Sequence, residues 1–94
     1  MKYYKINNRA VSRRIGDRFF LIPLTGEFNS NETLIETNES GVVLWDAAQH
    51  QQSFTCEQLA LALQARYNVK PETVIMDVEK WCLALVEANI IREE

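Results

Sequence analysis

The sequence predicts an α+β fold in which an N-terminal three-stranded antiparallel sheet precedes three helices. Residues 10–37 contain short runs of β-branched and aromatic residues separated by turn signals, whereas residues 38–91 carry apolar residues at helical spacing. A chain of 94 residues, 47% of them apolar and 24% charged, is typical of one globular domain. We therefore expect residues 1–94 to fold as a single unit.

The first two strands are predicted over Ala10–Ile15 and Arg18–Leu24. Between them lies Gly16-Asp17, a glycine-led pair that suits the two-residue turn of a β-hairpin. Pro23 cannot donate a backbone hydrogen bond, so we expect it at the end of the second strand or at a bulge. These two runs therefore predict a tight hairpin at the start of the sheet.

The third strand is predicted over Thr33–Thr37, and the first helix follows it over residues 39–48. Asn38 precedes that helix and has a side chain that can cap it. Gly41 lacks a Cβ atom, so we expect it to let the helix start close against the sheet. Trp45, one turn later, is expected to fill the core.

The second helix is predicted over residues 55–67, because Thr55 and Gln58 have the spacing of a capping box. Asn68 suits the left-handed position after its last turn. The third helix is predicted over residues 71–88, and its first residue is a proline, which is favoured there because that N–H has no helical partner.

Two apolar stripes run along the third helix. The first, which is expected to face the core, consists of Val74, Val78, Trp81 and Leu85. The second, displaced by about 100° around the helix axis, consists of Ile75, Cys82 and Val86. The second stripe is either buried between two layers or left free for a partner.

Strands followed by three helices in this order form a winged-helix-like arrangement, and three segments within it resemble the PqqD family. These segments are NESGVVLWDAA, FTCEQLALALQARYNV and PETVIMDVEKWCLALVEANII. The matching positions are Asn38, Gly41, Trp45, Thr55, Leu59, Asp77, Val78 and Ile90-Ile91. The resemblance covers residues 33–91, and it departs from the family at Asn89, where a glycine is usual.

The resemblance implies a non-catalytic peptide-binding module of the kind called a RiPP recognition element. Such domains hold the leader of a ribosomally made precursor peptide and present it to a modifying enzyme, often a radical S-adenosylmethionine protein. In the family the leader adds a strand to the sheet edge and lies against the third helix. The implied edge residues are Thr33, Leu34, Ile35, Glu36 and Thr37, and the implied groove residues are Ile75, Glu79, Cys82 and Val86.

Strand addition also agrees with elementary chemistry, because an exposed edge strand presents unpaired N–H and C=O groups that can bind an extended peptide. A dimerising interaction domain without a peptide ligand would use the same edge and the same second stripe. The sequence leaves that alternative open, and it leaves open whether the chain is a monomer or a homodimer.

A winged-helix DNA-binding protein is a further alternative, with residues 71–88 as its reading helix. That helix has four acidic residues, and Lys80 is its only basic one. Phosphate contacts require the opposite sign of charge, so we expect no nucleic-acid partner.

We expect no catalytic residue, no metal site and no cofactor. His50 is the single histidine, and Asp46 and Ser53 are near it only along the chain, which does not assemble a nucleophile and a base in a pocket. Cys56 and Cys82 are too widely spaced to indicate a metal site. Because no long apolar run and no apolar signal segment occur, we expect a cytoplasmic protein that does not bind membranes.

Overall fold

The computed structural model of the chain describes residues 2–7, 9–24 and 35–94. It confirms the predicted α+β fold, with an antiparallel three-stranded sheet followed by three helices. The elements are β1 (Tyr4–Ile6), β2 (Ala10–Ile15), β3 (Arg18–Pro23), β4 (Ile35–Thr37), α1 (Glu39–Gln49), α2 (Cys56–Tyr67), α3 (Pro71–Glu87) and β5 (Ile91–Glu93). Strands β2, β3 and β4 form the three-stranded sheet, and β1 pairs with β5 in a second sheet.

The predicted hairpin is formed by β2 and β3, whose register runs from Ala10 opposite Pro23 to Ile15 opposite Arg18. Gly16, the first of the two turn residues, has a φ of 66°, which explains the glycine at this position. Strand β3 ends at Pro23, as expected for a residue whose backbone cannot donate a hydrogen bond to a neighbouring strand.

Strand β4 lies at one edge of the three-stranded sheet, β3 lies in the centre and β2 lies at the other edge. The predicted third strand began at Thr33, but Thr33 and Leu34 lie outside the described residues. The structure therefore places only Ile35, Glu36 and Thr37 of the predicted edge strand.

Local capping interactions set the helix ends close to their predicted positions. Asn38 accepts the N–H of Gly41 on its Oδ1 at 2.8 Å and thereby caps α1. The capping box of α2 is present, with the Thr55 hydroxyl accepting from the Gln58 N–H at 3.1 Å and the Gln58 side chain accepting in return at 2.9 Å. Asn68 ends α2 with a φ of 55°, in the predicted left-handed conformation.

The second sheet was not predicted from the sequence. In it Tyr4 lies opposite Glu93, and Ile6 lies opposite Ile91. Tyr4 also exchanges two backbone hydrogen bonds with Phe54, of 2.8 and 2.9 Å. These pairings hold the two ends of the chain against the segment that leads into α2.

The core lies between the three-stranded sheet and the helices. Its largest fully buried side chains are Trp45, Phe54, Leu21, Leu59, Leu85, Ile90, Ile91, Val78 and Cys82. Trp45 fills the core as predicted. Both apolar stripes of α3 contribute, because Val78 and Leu85 come from the first stripe and Cys82 comes from the second.

Gly41 marks a close approach of α1 to both the sheet and α3. A Cβ atom at this position would overlap the hydroxyl of Thr37 and lie 3.2 Å from Nε1 of Trp81. The space that a side chain would need is therefore already filled. The expectation that this glycine lets α1 start against the sheet is confirmed.

Replacing Gly41 with alanine is expected to destabilise the protein by about 1–3 kcal/mol. The overlap with Thr37 and Trp81 should outweigh the gain in helix propensity, which is about 1 kcal/mol. Urea unfolding measures the change. In a Thr37→Ala background the same substitution should cost less, because the hydroxyl that the new methyl group meets is absent. If Gly41→Ala is as stable as the wild-type protein or more stable, the close approach of α1 to Thr37 and Trp81 is contradicted.

Two buried thiols lie at the contact between α2 and α3, with Sγ of Cys56 3.7 Å from Sγ of Cys82. Burial is the largest cause that raises the pKa of Cys56. Burial also raises the pKa of Cys82, and the neighbouring thiol adds to this effect. The pKa of Tyr4 is likewise raised, mainly by burial.

Stability is therefore expected to fall as the pH rises above about 8, since the unfolded chain ionises these groups near their ordinary pKa values of about 8.5–10. Below that pH the two thiols and the Tyr4 hydroxyl are protonated in both the folded and the unfolded protein, so their contribution to the free energy of unfolding does not change with pH. Each thiol can contribute up to about 1.4 kcal/mol per pH unit above its unfolded pKa. Urea unfolding between pH 7 and 9.5 measures the slope. Cys82→Ala should make it shallower, and an unchanged slope would contradict the role of the buried thiol.

Candidate functional site

A cleft of about 890 Å³ opens beside the edge strand β4. Its walls come from β4, the first turn of α1, the end of α2 and the first half of α3. Its apolar floor is formed by the partly exposed Val74 and Trp81 and by Leu44 and Leu63, which are 4% and 5% exposed, with the fully buried Val78 beneath them. A concave site of this size with an apolar floor is typical of ligand-binding sites in proteins.

The rim of the cleft is predominantly acidic. Glu36, Glu39 and Asp77 contribute three carboxylates, and Lys80 contributes one ammonium group. All four residues are exposed. Glu36 forms an ion pair with Arg18 at 3.7 Å, but both side chains are more than half exposed, so the pair contributes little and leaves the carboxylate accessible.

The hydrogen bonds between β2 and β3 fix the direction in which each peptide group of β3 points. In an antiparallel pair, hydrogen-bonded residues alternate with residues that make no bond across that pair. The N–H of Leu24 donates to the carbonyl of Arg9 at 2.7 Å, so the even-numbered residues of β3 bond to β2. Phe19 and Leu21 therefore direct their N–H and C=O groups towards β4.

On β4, Thr37 lies opposite Phe19 and Ile35 lies opposite Leu21. Those two β4 residues therefore bond to β3. Glu36 lies between them and directs its N–H and C=O away from the sheet. Among the described strands none pairs with β4 on that side. The sheet edge that borders the cleft thus offers one donor and one acceptor on the backbone of Glu36.

The structure separates the two halves of the site that the resemblance implied. Glu36 and Thr37 of the edge strand line the cleft. The implied groove residues of α3 do not line it. Cys82 is fully buried, so a ligand on the surface cannot contact it, and Ile75 and Val86 pack against the core from partly buried positions.

Glu79 lies on a different face of α3 from the cleft. It lines a smaller pocket of about 260 Å³ together with Lys2 and Tyr4. The α3 residues that face β4 instead include Val74 and Trp81, which helical spacing had assigned to the core and which are only partly buried. Spacing gives the angle between two stripes but not which stripe meets the sheet edge, so the sequence did not identify this wall.

The structure places the residues that were considered for catalysis and metal binding. His50 is exposed, and its Nδ1 lies 2.7 Å from the carbonyl oxygen of Asp46, which accepts the ring N–H. Over residues 2–7, 9–24 and 35–94, no three His, Cys, Asp or Glu side chains are grouped so that they could hold a metal ion. None of the described helices is long and apolar enough to span a membrane.

Comparison with known proteins places this geometry in context. The model of the family described as coenzyme PQQ synthesis protein D (PqqD) matches residues 28–91. A solved structure, "TbiB1 in Complex with the TbiA(beta) Leader Peptide", is similar with a TM-score of 0.65 and 24% sequence identity, over 93% of each chain. At this identity the likeness shows a shared fold. Among curated proteins none matches the chain.

Proposed function

The chain belongs to the PqqD family, and we propose that it binds the leader of a ribosomally made precursor peptide and presents it to a modifying enzyme. In this proposal residues 1–94 act as one non-catalytic binding domain. The enzyme is expected to be a radical S-adenosylmethionine protein, as is frequent in the family. The likeness to a protein solved with a leader peptide supports the proposal. The observation that carries it is the open edge at Glu36 beside an apolar cleft.

Strand addition at this edge supplies orientation more than affinity. Glu36 offers two main-chain hydrogen bonds, and each contributes a net of about 0.5–1.5 kcal/mol. A dissociation constant of about 1 µM requires roughly 8 kcal/mol. The main chain therefore accounts for a minor share of the binding free energy.

The cleft floor supplies the larger share. Burying one Val, Leu or Phe side chain contributes about 1.5–3 kcal/mol. Alternate side chains of an added strand point to the same side, so residues two apart in the leader would reach the floor formed by Leu44, Val74 and Trp81. We infer that the leader binds in an extended conformation, with its apolar residues at such spacing.

The other functions considered fit the structure less well. The exposed face of α3 carries four carboxylates and one ammonium group, which opposes its use as a DNA-reading helix.

A homodimer formed by pairing two β4 edges would occupy the same donor and acceptor as the leader. In that case the leader would dissociate the dimer, which sedimentation with and without the peptide measures.

Substituting Glu36 with proline is expected to weaken leader binding at least about fivefold while the fold is kept. The N–H of Glu36 points away from β3, and proline is tolerated at such an edge position. The substitution removes the one outward donor among the described residues of β4 and places a ring where the peptide strand would lie. Calorimetry with a synthetic leader peptide measures the dissociation constant.

Glu36→Ala is the matched control, because it removes the same carboxylate and its ion pair with Arg18 but keeps the backbone N–H. Circular dichroism and thermal unfolding show whether both variants fold. The proposal predicts a clear difference in affinity between the two folded variants. If they bind the leader equally well, strand addition at β4 is excluded.

A further inference from the structure

We propose that the leader segment in the cleft carries a lysine or arginine two positions from an apolar anchor residue. The inference rests on the proposed function and concerns which peptides the cleft accepts. Two observations carry it, namely the sign of charge around the rim and the position of Asp77 one helical turn from Trp81 on the cleft wall.

The carboxylates of the rim outweigh the positive groups near them. Glu36, Glu39 and Asp77 stand against Lys80, against Arg18, which pairs with Glu36, and against the N-terminal end of the α1 dipole, which is equivalent to about half a positive charge. Asn38 already accepts one of the N–H groups at that helix end. The balance of formal charge at the rim stays slightly negative, which favours a cation over a carboxylate in the cleft.

Trp81 and Asp77 form a place for such a cation. The Nε1 atom of Trp81 is buried close to Gly41, and the partly exposed Trp81 lines the cleft. A lysine or arginine side chain can lay its methylene groups on the apolar wall and direct its charge towards Asp77 and the indole face. This side of α3 thus provides both an apolar surface and a charge partner.

The spacing follows from the geometry of an added strand. Side chains at positions i and i+2 of a strand point to the same side, whereas the intervening residue points to the other. An apolar residue on the floor formed by Leu44 and Leu63 and a basic residue near Asp77 can therefore both face the cleft when one residue separates them. The expected leader pattern is an apolar residue, any residue, and lysine or arginine, in either direction along the chain.

A displayed library of random peptides, selected on the immobilised full chain, tests this inference without knowledge of the natural leader. The wild-type protein should enrich peptides that contain the apolar and basic residues at this spacing. Binding of an enriched peptide should weaken at least about fivefold in Asp77→Lys, because an attraction is replaced by a repulsion. The loss should be smaller in Asp77→Asn and in wild-type protein at high salt.

Glu79→Lys is the matched control, since it makes the same charge change two residues away on a different face of α3. It should alter the affinity by less than about twofold. Thermal unfolding of each variant confirms that the fold is kept.

The outcomes separate this inference from the proposed function. Enrichment of neutral or acidic peptides, or an equal loss in Asp77→Lys and Glu79→Lys, overturns the charge preference and leaves peptide binding intact. If no peptide is enriched and a synthetic leader also fails to bind, the proposed function is overturned together with the inference.

Discussion

The close contact of Gly41 with Thr37 and Trp81 is the constraint on which the arrangement of the site depends. Thr37 is the last residue of the edge strand, and Trp81 lies in the middle of α3. The absence of a side chain at Gly41 lets the first turn of α1 lie against both. The sheet edge, the start of α1 and the wall of α3 therefore meet at one point, and the cleft opens beside it.

In the proposed complex, side chains contribute more to specificity than the sheet edge does. Of the three β4 residues that the structure describes, Glu36 directs both backbone groups outwards. An unrelated extended chain gains little from two hydrogen bonds. In the proposed complex, only a peptide whose side chains also fill the neighbouring cleft is expected to bind tightly, so we expect selectivity to depend on the floor and the acidic rim.

The sequence predicted the features that depend on near neighbours in the chain. The glycine-led turn, the capping box at Thr55 and the left-handed end at Asn68 each involve residues within a few positions of one another. Strands β1 and β5 were missed because three residues are too few to show alternation and their partners lie at opposite ends of the chain. The wall of the cleft was missed because the choice between two apolar stripes on α3 depends on tertiary packing. Cys82, which the resemblance assigned to the groove, lies in the core because tertiary packing buries part of the second stripe of α3.

Amide hydrogen exchange by NMR, with and without the leader peptide, tests the central claim most directly. Exchange of the Glu36 N–H should be slower in the complex, and the Trp81 indole signal should shift. Ser12 and Arg14, whose N–H groups point away from β3 by the same alternation, should exchange at unchanged rates. Protection of Ser12 and Arg14 without protection of Glu36 would contradict the assignment of the peptide to β4 and its cleft.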